Sequence, residues 1–486
     1  MKRALFSAAL AAAVLFTAAA WDNHTQMTYL ALGAEPWAGR LVRAENFDAF
    51  VLAEQARLAP LLADLEKEFA HAVPEYPARP AALAFTGGYR SDDGGVAARE
   101  AFIAAIRVNP AVPFPLYVAL RADGPRPKRP DLPVAKADIF DFHVPNAPFQ
   151  ALASGEDVTV LEVVSTASDE PDYGMDIGLF ADNKGPVSNV YGFGVQPFGN
   201  PDLSYGSQAP FHMAFAHENP IIHMAAPFTR TALADYRFRL YTGLSRFAFA
   251  EGHEYWGWRF AGWAMHYLQD STQPYHADMI PGMNAAQILW LYATGGQAAR
   301  DGALMLLSNR HLLLEAYQYG VMAAYKGDDS ASPIYAALKG GAIGGKTTPA
   351  LPPIREGYLF DVASWNAYGR GMAVDRMVVA TFPAKWTSDP KLDFGTLGDV
   401  DLHGELVKSD PARARAFEAA IAPCLADFGS ATRAFAEYVR DPAAVAGPRK
   451  APFDPRGAEL VGVPLLVVAA IVTLALPVRK KKLRKS

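Results

Sequence analysis

The stretch Trp263–His276 reads WAMHYLQDSTQPYH. His266 and Asp270 stand four residues apart, a spacing that on an α-helix puts both side chains on one face, one turn apart. The aromatic-rich run from Tyr255 to Leu268 predicts that helix, with Pro274 at its end or in a turn just beyond. The helix then carries two candidate metal ligands and the turn returns a third, His276. Taken alone, an HxxxD pair fits an ordinary buried histidine in a capped helix, because such pairs arise readily by chance.

Working outward, a second four-residue pair occurs at His311 and Glu315, in RHLLLE. Two pairs in this order, with His276 between them, are far more specific than either alone. Upstream, SQAPFHMAFAHENPIIH packs His212, His217 and His223 into twelve residues. Before it lies an acidic segment with Glu170, Asp172 and Asp176, which by default reads as a solvated loop.

The chain has 486 residues, 51% hydrophobic and 20% charged, which is globular composition. Its single cysteine, Cys424, excludes an internal disulfide framework and reads as a buried apolar residue. His, Asp and Glu at metal-ligand spacing, without cysteine, suit catalytic rather than structural zinc, because open N/O sites leave room for water and substrate.

Both ends carry targeting signals. Residues 1–20 read as a secretory signal peptide: Lys2 and Arg3, an apolar run Ala4–Thr17, and the small-residue site Ala18-Ala19-Ala20. Cleavage there makes Trp21 the first residue, whose free amine and carbonyl can chelate one ion together with His24. Leu460–Val478 is a 19-residue stretch without charge, enough for about 28 Å of helix. Six cations follow it, so residues 460–478 are expected to span a membrane, with 479–486 as a cytoplasmic basic tail and 446–459 as a linker. The expected location is the bacterial periplasm or cell surface. The formal net charge of −5 becomes more negative once the cations of the signal and tail are set aside. Such a body has no general attraction for nucleic-acid phosphates. A phosphate-directed site must carry its own positive charge, which metal ions would supply.

Between the ends, periodicity predicts several helices. A helical pattern starts near MTYLALGA (Met27–Ala34). Arg43–Val73 reads as a long amphipathic helix with Phe50, Leu58, Leu61, Leu62, Leu65 and Phe69 on its apolar face. Residues 74 to about 160 are rich in proline and glycine and read as an irregular insertion with one helix near Val96–Val108. A short apolar run starts at Val158. Two helices are expected over Arg237–Gly262, one over Asn284–Leu307, and a closing helix or helix pair, broken at Pro423, over Asp410–Asp441.

These motifs together resemble the secreted bacterial zinc-dependent phospholipases C, the alpha-toxin-like family. The likeness rests on WDNH (Trp21–His24), Pro171-Asp172-Tyr173, MHYLQDSTQPYH and HLLLE, in that order. It implies a mainly α, phospholipase C/P1 nuclease-like helical domain over 21–445 with three zinc ions. By that likeness, the Trp21 backbone and His24 hold one ion, and Asp270 bridges it to a second completed by His266, Asp172 and one histidine of the 212–223 run. His212 fits by its PFHMAF context, with His217 close behind. His276, His311 and Glu315 hold the third ion, and Asp172 is the favoured base. The implied reaction is hydrolysis of a phospholipid to diacylglycerol and a phosphorylated head group. The related S1/P1 nucleases are the main rival, but their last pair resembles HxxxD rather than HxxxE, and they tend to carry disulfides. A non-catalytic, membrane-tethered protein on the same scaffold is a third reading, disfavoured because buried ionic clusters are costly without metal.

Overall fold

The computed structural model describes residues 21–444 apart from 22, 122, 125–127, 140–148, 202–204, 344, 347–349, 399 and 442. The expected signal peptide, linker, span and tail lie outside the described residues. Among the described residues, no helix is long and apolar enough to cross a membrane.

The protein is mainly α-helical. The helices that matter here are α1 (His24–Leu32), α2 (Phe47–Ala72), α3 (Val96–Ile106), α4 (Val160–Ala167), α5 (Leu233–Ala250), α6 (Glu254–Asp270), α7 (Pro274–Ala277), α8 (Gln297–Ala323), α9 (Trp365–Thr381) and α10 (Pro411–Arg440). At the centre is α6, the helix expected from the WAMHYLQD stretch. Every residue from Tyr255 to Asp270 is buried, and the one buried cation on this helix, Arg259, is paired with Glu170. Trp256, Trp258 and Trp263 are fully enclosed. Burying each contributes on the order of 4 kcal/mol from the area removed from water.

Helix α6 folds back on α5 through Glu251–His253, with Gly252 in the left-handed region at φ +86°. Its other face lies close on α4. A β-carbon at Gly262 would sit 2.5 Å from Ala167 Cβ and 2.8 Å from the Val164 carbonyl oxygen, so only glycine permits this approach. Helix α4 starts in a capping box, Thr159 with Glu162.

Two hydrophobic cores both draw on α1 and α10. One gathers α2 to α6 and the end of α10, and the other gathers α8, the second half of α9 and the rest of α10. The stretch 74–160 differs from an irregular insertion. Besides α3 it contributes strands β2 (Tyr117–Ala119), β3 (Asp131–Leu132) and β4 (Phe149–Ala151), paired antiparallel in the order β2-β4-β3. Phe85, Phe102 and Ile106 from the same stretch lie in the first core. Strand β1 (Leu41–Arg43) pairs antiparallel with β5 (Asp157–Thr159), so the amphipathic helix starts only at Phe47.

Two expected boundaries also shift. Asn284–Leu307 is two helices, Ala285–Thr294 and α8, separated at Gly295-Gly296, and α8 continues through His311 and Glu315. Pro423 does not break α10. Phe417, Ile421, Leu425 and Phe428 are buried on both sides of it, and that packing holds the helix across the missing amide.

Candidate metal centre

Three groups of side chains converge near the C-terminal end of α6. His24, Asp172 and His266 form one, His212, His266 and Asp270 a second, and His276, His311 and Glu315 a third. Within each group the donor atoms lie within 4.8 Å of one another, and all eight residues are buried. The first two groups share His266. Asp270 spans them too, with Oδ1 3.2 Å from His24 Nε2 and Oδ2 2.9 Å from His212 Nδ1.

Local folding places each donor. The α6 register sets His266 and Asp270 one turn apart, 3.3 Å between Nε2 and Oδ2. The chain then turns at Ser271–Gln273 into α7, whose third residue is His276. The α8 register brings His311 Nε2 within 2.5 Å of Glu315 Oε1. His24 opens α1 after Asn23, which adopts φ 64° and accepts a hydrogen bond from the Gln26 amide. Asparagine is among the few residues that adopt this left-handed geometry readily. Trp21 enters beside the groups, its indole buried and donating to Thr272 Oγ1 at 3.0 Å.

Hydrogen bonds behind the rings fix which nitrogen faces the cluster. His266 Nδ1 donates to the Ser168 carbonyl at 2.8 Å, leaving an Nε2 lone pair aimed at His212 Nδ1, 2.9 Å away. His276 Nδ1 donates to the His212 carbonyl at 3.0 Å, so its Nε2 faces His311 Nε2 at 3.2 Å. The Gln269 amide nitrogen donates to Thr28 and Thr432. Its oxygen therefore meets His24 Nδ1 at 2.7 Å, and His24 Nε2 points at Asp270. Lone pairs facing lone pairs and carboxylate oxygens repel unless a cation lies between them. His24 Nε2, Asp270 Oδ1 and Asp172 Oδ1 are buried without a hydrogen-bond partner, and such atoms are costly unless an ion satisfies them. The donor set therefore fits metal ions.

The protonation states tell the same story. Burial disfavours a charged His24, but the adjacent Asp270 carboxylate prevails and lifts its pKa to about 9. His212, opposed by burial and supported by Asp176 and Asp270, rises to about 10. Burial depresses His266 and His276 to about 4. Burial also opposes ionisation of Asp270, yet His266, His212 and His24 hold it well below the usual carboxylate range. Asp172 is pushed well above that range, chiefly by burial and by the Asp270 charge. In the metal-free protein, protons on His24 and His212 supply the positive charge that Asp270 requires.

The structure separates the upstream histidines. His212 joins the cluster. His217 instead bonds the Phe360 carbonyl and stacks edge-on against Trp365, and His223 bonds Thr229.

The acidic loop departs most from its sequence reading. It is buried, not solvated. Asp169 accepts from the His24 amide, from Thr25 and from Tyr173, and so anchors the start of α1. Glu170 pairs with Arg259 and accepts from the Trp263 indole. Asp172 faces the ligands, 3.5 Å from both His212 Nδ1 and His266 Nε2. Asp176 pairs with Arg237 and Tyr267. A signal for this lay in Arg237 and Arg259, cations set between aromatic neighbours (Tyr236 and Phe238, Trp258 and Phe260), because a buried guanidinium demands a buried acid.

Fold and site define a mainly α-helical protein with buried His/Asp/Glu groups able to hold metal ions. Searches of family models, curated proteins and solved structures returned no match to this chain.

Proposed function

We propose that this protein is a zinc-dependent phosphodiesterase, and specifically a phospholipase C that cleaves the glycerol–phosphate bond of a phospholipid. The observation that carries the reading is the convergence of three ligand groups, two of them joined through His266 and Asp270. The motif order from Trp21 to Glu315 supports the assignment to the alpha-toxin-like family, with Trp21 completing the ion held by His24. Zinc is favoured because the donors are imidazole and carboxylate without thiolate.

When bound, such ions supply Lewis acidity toward phosphoryl oxygens and lower the pKa of a water molecule. The chain's own residues do the rest. The carbonyls of Ser168 and His212 and the amide of Gln269 fix the tautomers of His266, His276 and His24, keeping their donor nitrogens toward the cluster. Asp172, buried beside His212 and His266, would serve as the base, directly or through a water that it holds. The aromatic enclosure around α6 keeps bulk water from the donors. Export and anchoring through residues 460–478 would hold the enzyme at a membrane surface, where its substrate lies.

The test is hydrolysis by the purified full-length chain of phosphatidylcholine, a chromogenic phosphodiester and single-stranded DNA, each with and without chelator. Chelator-sensitive release of phosphocholine is the expected result. DNA cleavage without lipid turnover would reverse the reading in favour of a nuclease. Silence on every substrate would favour the non-catalytic scaffold.

A further inference from the structure

Asp176 and Arg237 form a fully buried ion pair that the proposed chemistry does not use. Arg237 donates from Nε to Asp176 Oδ1 at 2.8 Å, and from Nη1 and Nη2 to the carbonyls of Ile106 and Arg107, each at 2.8 Å. Tied to α3 and its end in this way, the guanidinium holds Asp176 in place. Tyr267, on α6 between His266 and Asp270, donates its hydroxyl to Asp176 Oδ2 at 2.6 Å. The same Oδ2 lies 3.5 Å from His212 Nε2.

We propose that Asp176, clamped by Arg237 and Tyr267, is a positioning residue that sets His212 and, through it, two of the three ligand groups. A carboxylate behind Nε2 favours the tautomer with its proton there. Nδ1 then keeps its lone pair toward Asp270 Oδ2 and His266 Nε2, each 2.9 Å away. The His212 backbone carries the effect further, because its carbonyl accepts from His276 Nδ1. That bond turns His276 Nε2 toward His311 and Glu315. Asp176 therefore acts on the second group through a ring and on the third through a carbonyl. The inference rests on the metal-centre reading but not on the identity of the substrate.

The test uses the full-length chain, stripped with chelator and reloaded with zinc or cobalt(II). Zinc content and affinity are measured by elemental analysis and competition with a chromophoric chelator, and cobalt geometry by its visible spectrum. Asp176→Asn keeps the side-chain shape and is expected to weaken zinc retention by about 10–100-fold, the usual effect of losing a group that orients a metal-bound histidine. It should also alter the cobalt spectrum. Tyr267→Phe removes one arm of the clamp and should give a smaller change of the same kind; it decides the matter if Asp176→Asn does not fold. Unchanged zinc affinity and cobalt spectrum in the folded variants, beside a wild type that takes up metal, overturn this inference alone. A wild type that takes up no metal overturns the metal centre and this inference together.

Discussion

Replacing Asp270 by asparagine removes the one charge shared by two ligand groups while keeping the side-chain shape. The cost can be worked from the metal-free protein. Asp270 is the strongest of the influences that raise His24 from 6.5 to about 9. That rise corresponds to about 3 kcal/mol of interaction. Breaking a buried ion pair by removing one partner costs about 3–5 kcal/mol, a figure of the same order. The pH dependence has a definite sign. His24 and His212 have raised pKa values in the folded state, so their stabilisation is full below about 6.5 and is lost as pH rises through about 9–10. Asp270 is depressed, so its part is present above the ordinary carboxylate range and fails only in strong acid. In chelator, wild type should therefore exceed Asp270→Asn by about 3 kcal/mol near pH 6, measured by urea denaturation, with the gap shrinking toward pH 10. With zinc, the variant should lose ions from both joined groups. A variant as stable as wild type at pH 6 in chelator, or one that retains the full zinc content, would refute the assignment of Asp270 to the junction.

Metal uptake at pH 7 should release protons, because His24 and His212 are protonated in the metal-free protein and neutral as ligands; calorimetry in buffers of different ionisation enthalpy reads the number, and zero would contradict the picture. His212→Ala should lose metal while His217→Ala retains it, since His217 is engaged with Phe360 and Trp365; elemental analysis distinguishes them. Arg259→Met should destabilise the protein by about 3–5 kcal/mol by stranding Glu170, and Glu170→Gln in the same chain should recover part of that loss in thermal unfolding. One residue added before Trp21 should weaken one zinc site; an extended chain with full zinc content and activity would exclude chelation by the Trp21 amine.

The sequence by itself determined whatever depends on spacing along one helix. HxxxD and HxxxE could be read because the α-helical repeat alone places residues four apart on one face, and α6 and α8 carry them so. Helices α2, α3, α5 and α6 were legible for the same reason, from local periodicity. Where local signals compete with packing they misled. Pro423 reads as a break, yet α10 runs through it because apolar residues on both sides are buried. The loop Asp169–Asp176 reads as solvated, yet Arg237 and Arg259, each more than sixty residues away in sequence, bring its acids into the interior. The PFHMAF context favoured His212 over His217 five residues on, but only the tertiary structure separated the two, bringing His212 against Asp270 and His217 against Phe360 and Trp365. The resemblance implied that Asp270 joins two ions, and the tertiary structure supplied the contacts themselves, Asp270 against both His24 and His212. Those contacts join segments far apart in the chain, and a one-dimensional pattern carries no record of which distant side chains will share a buried charge.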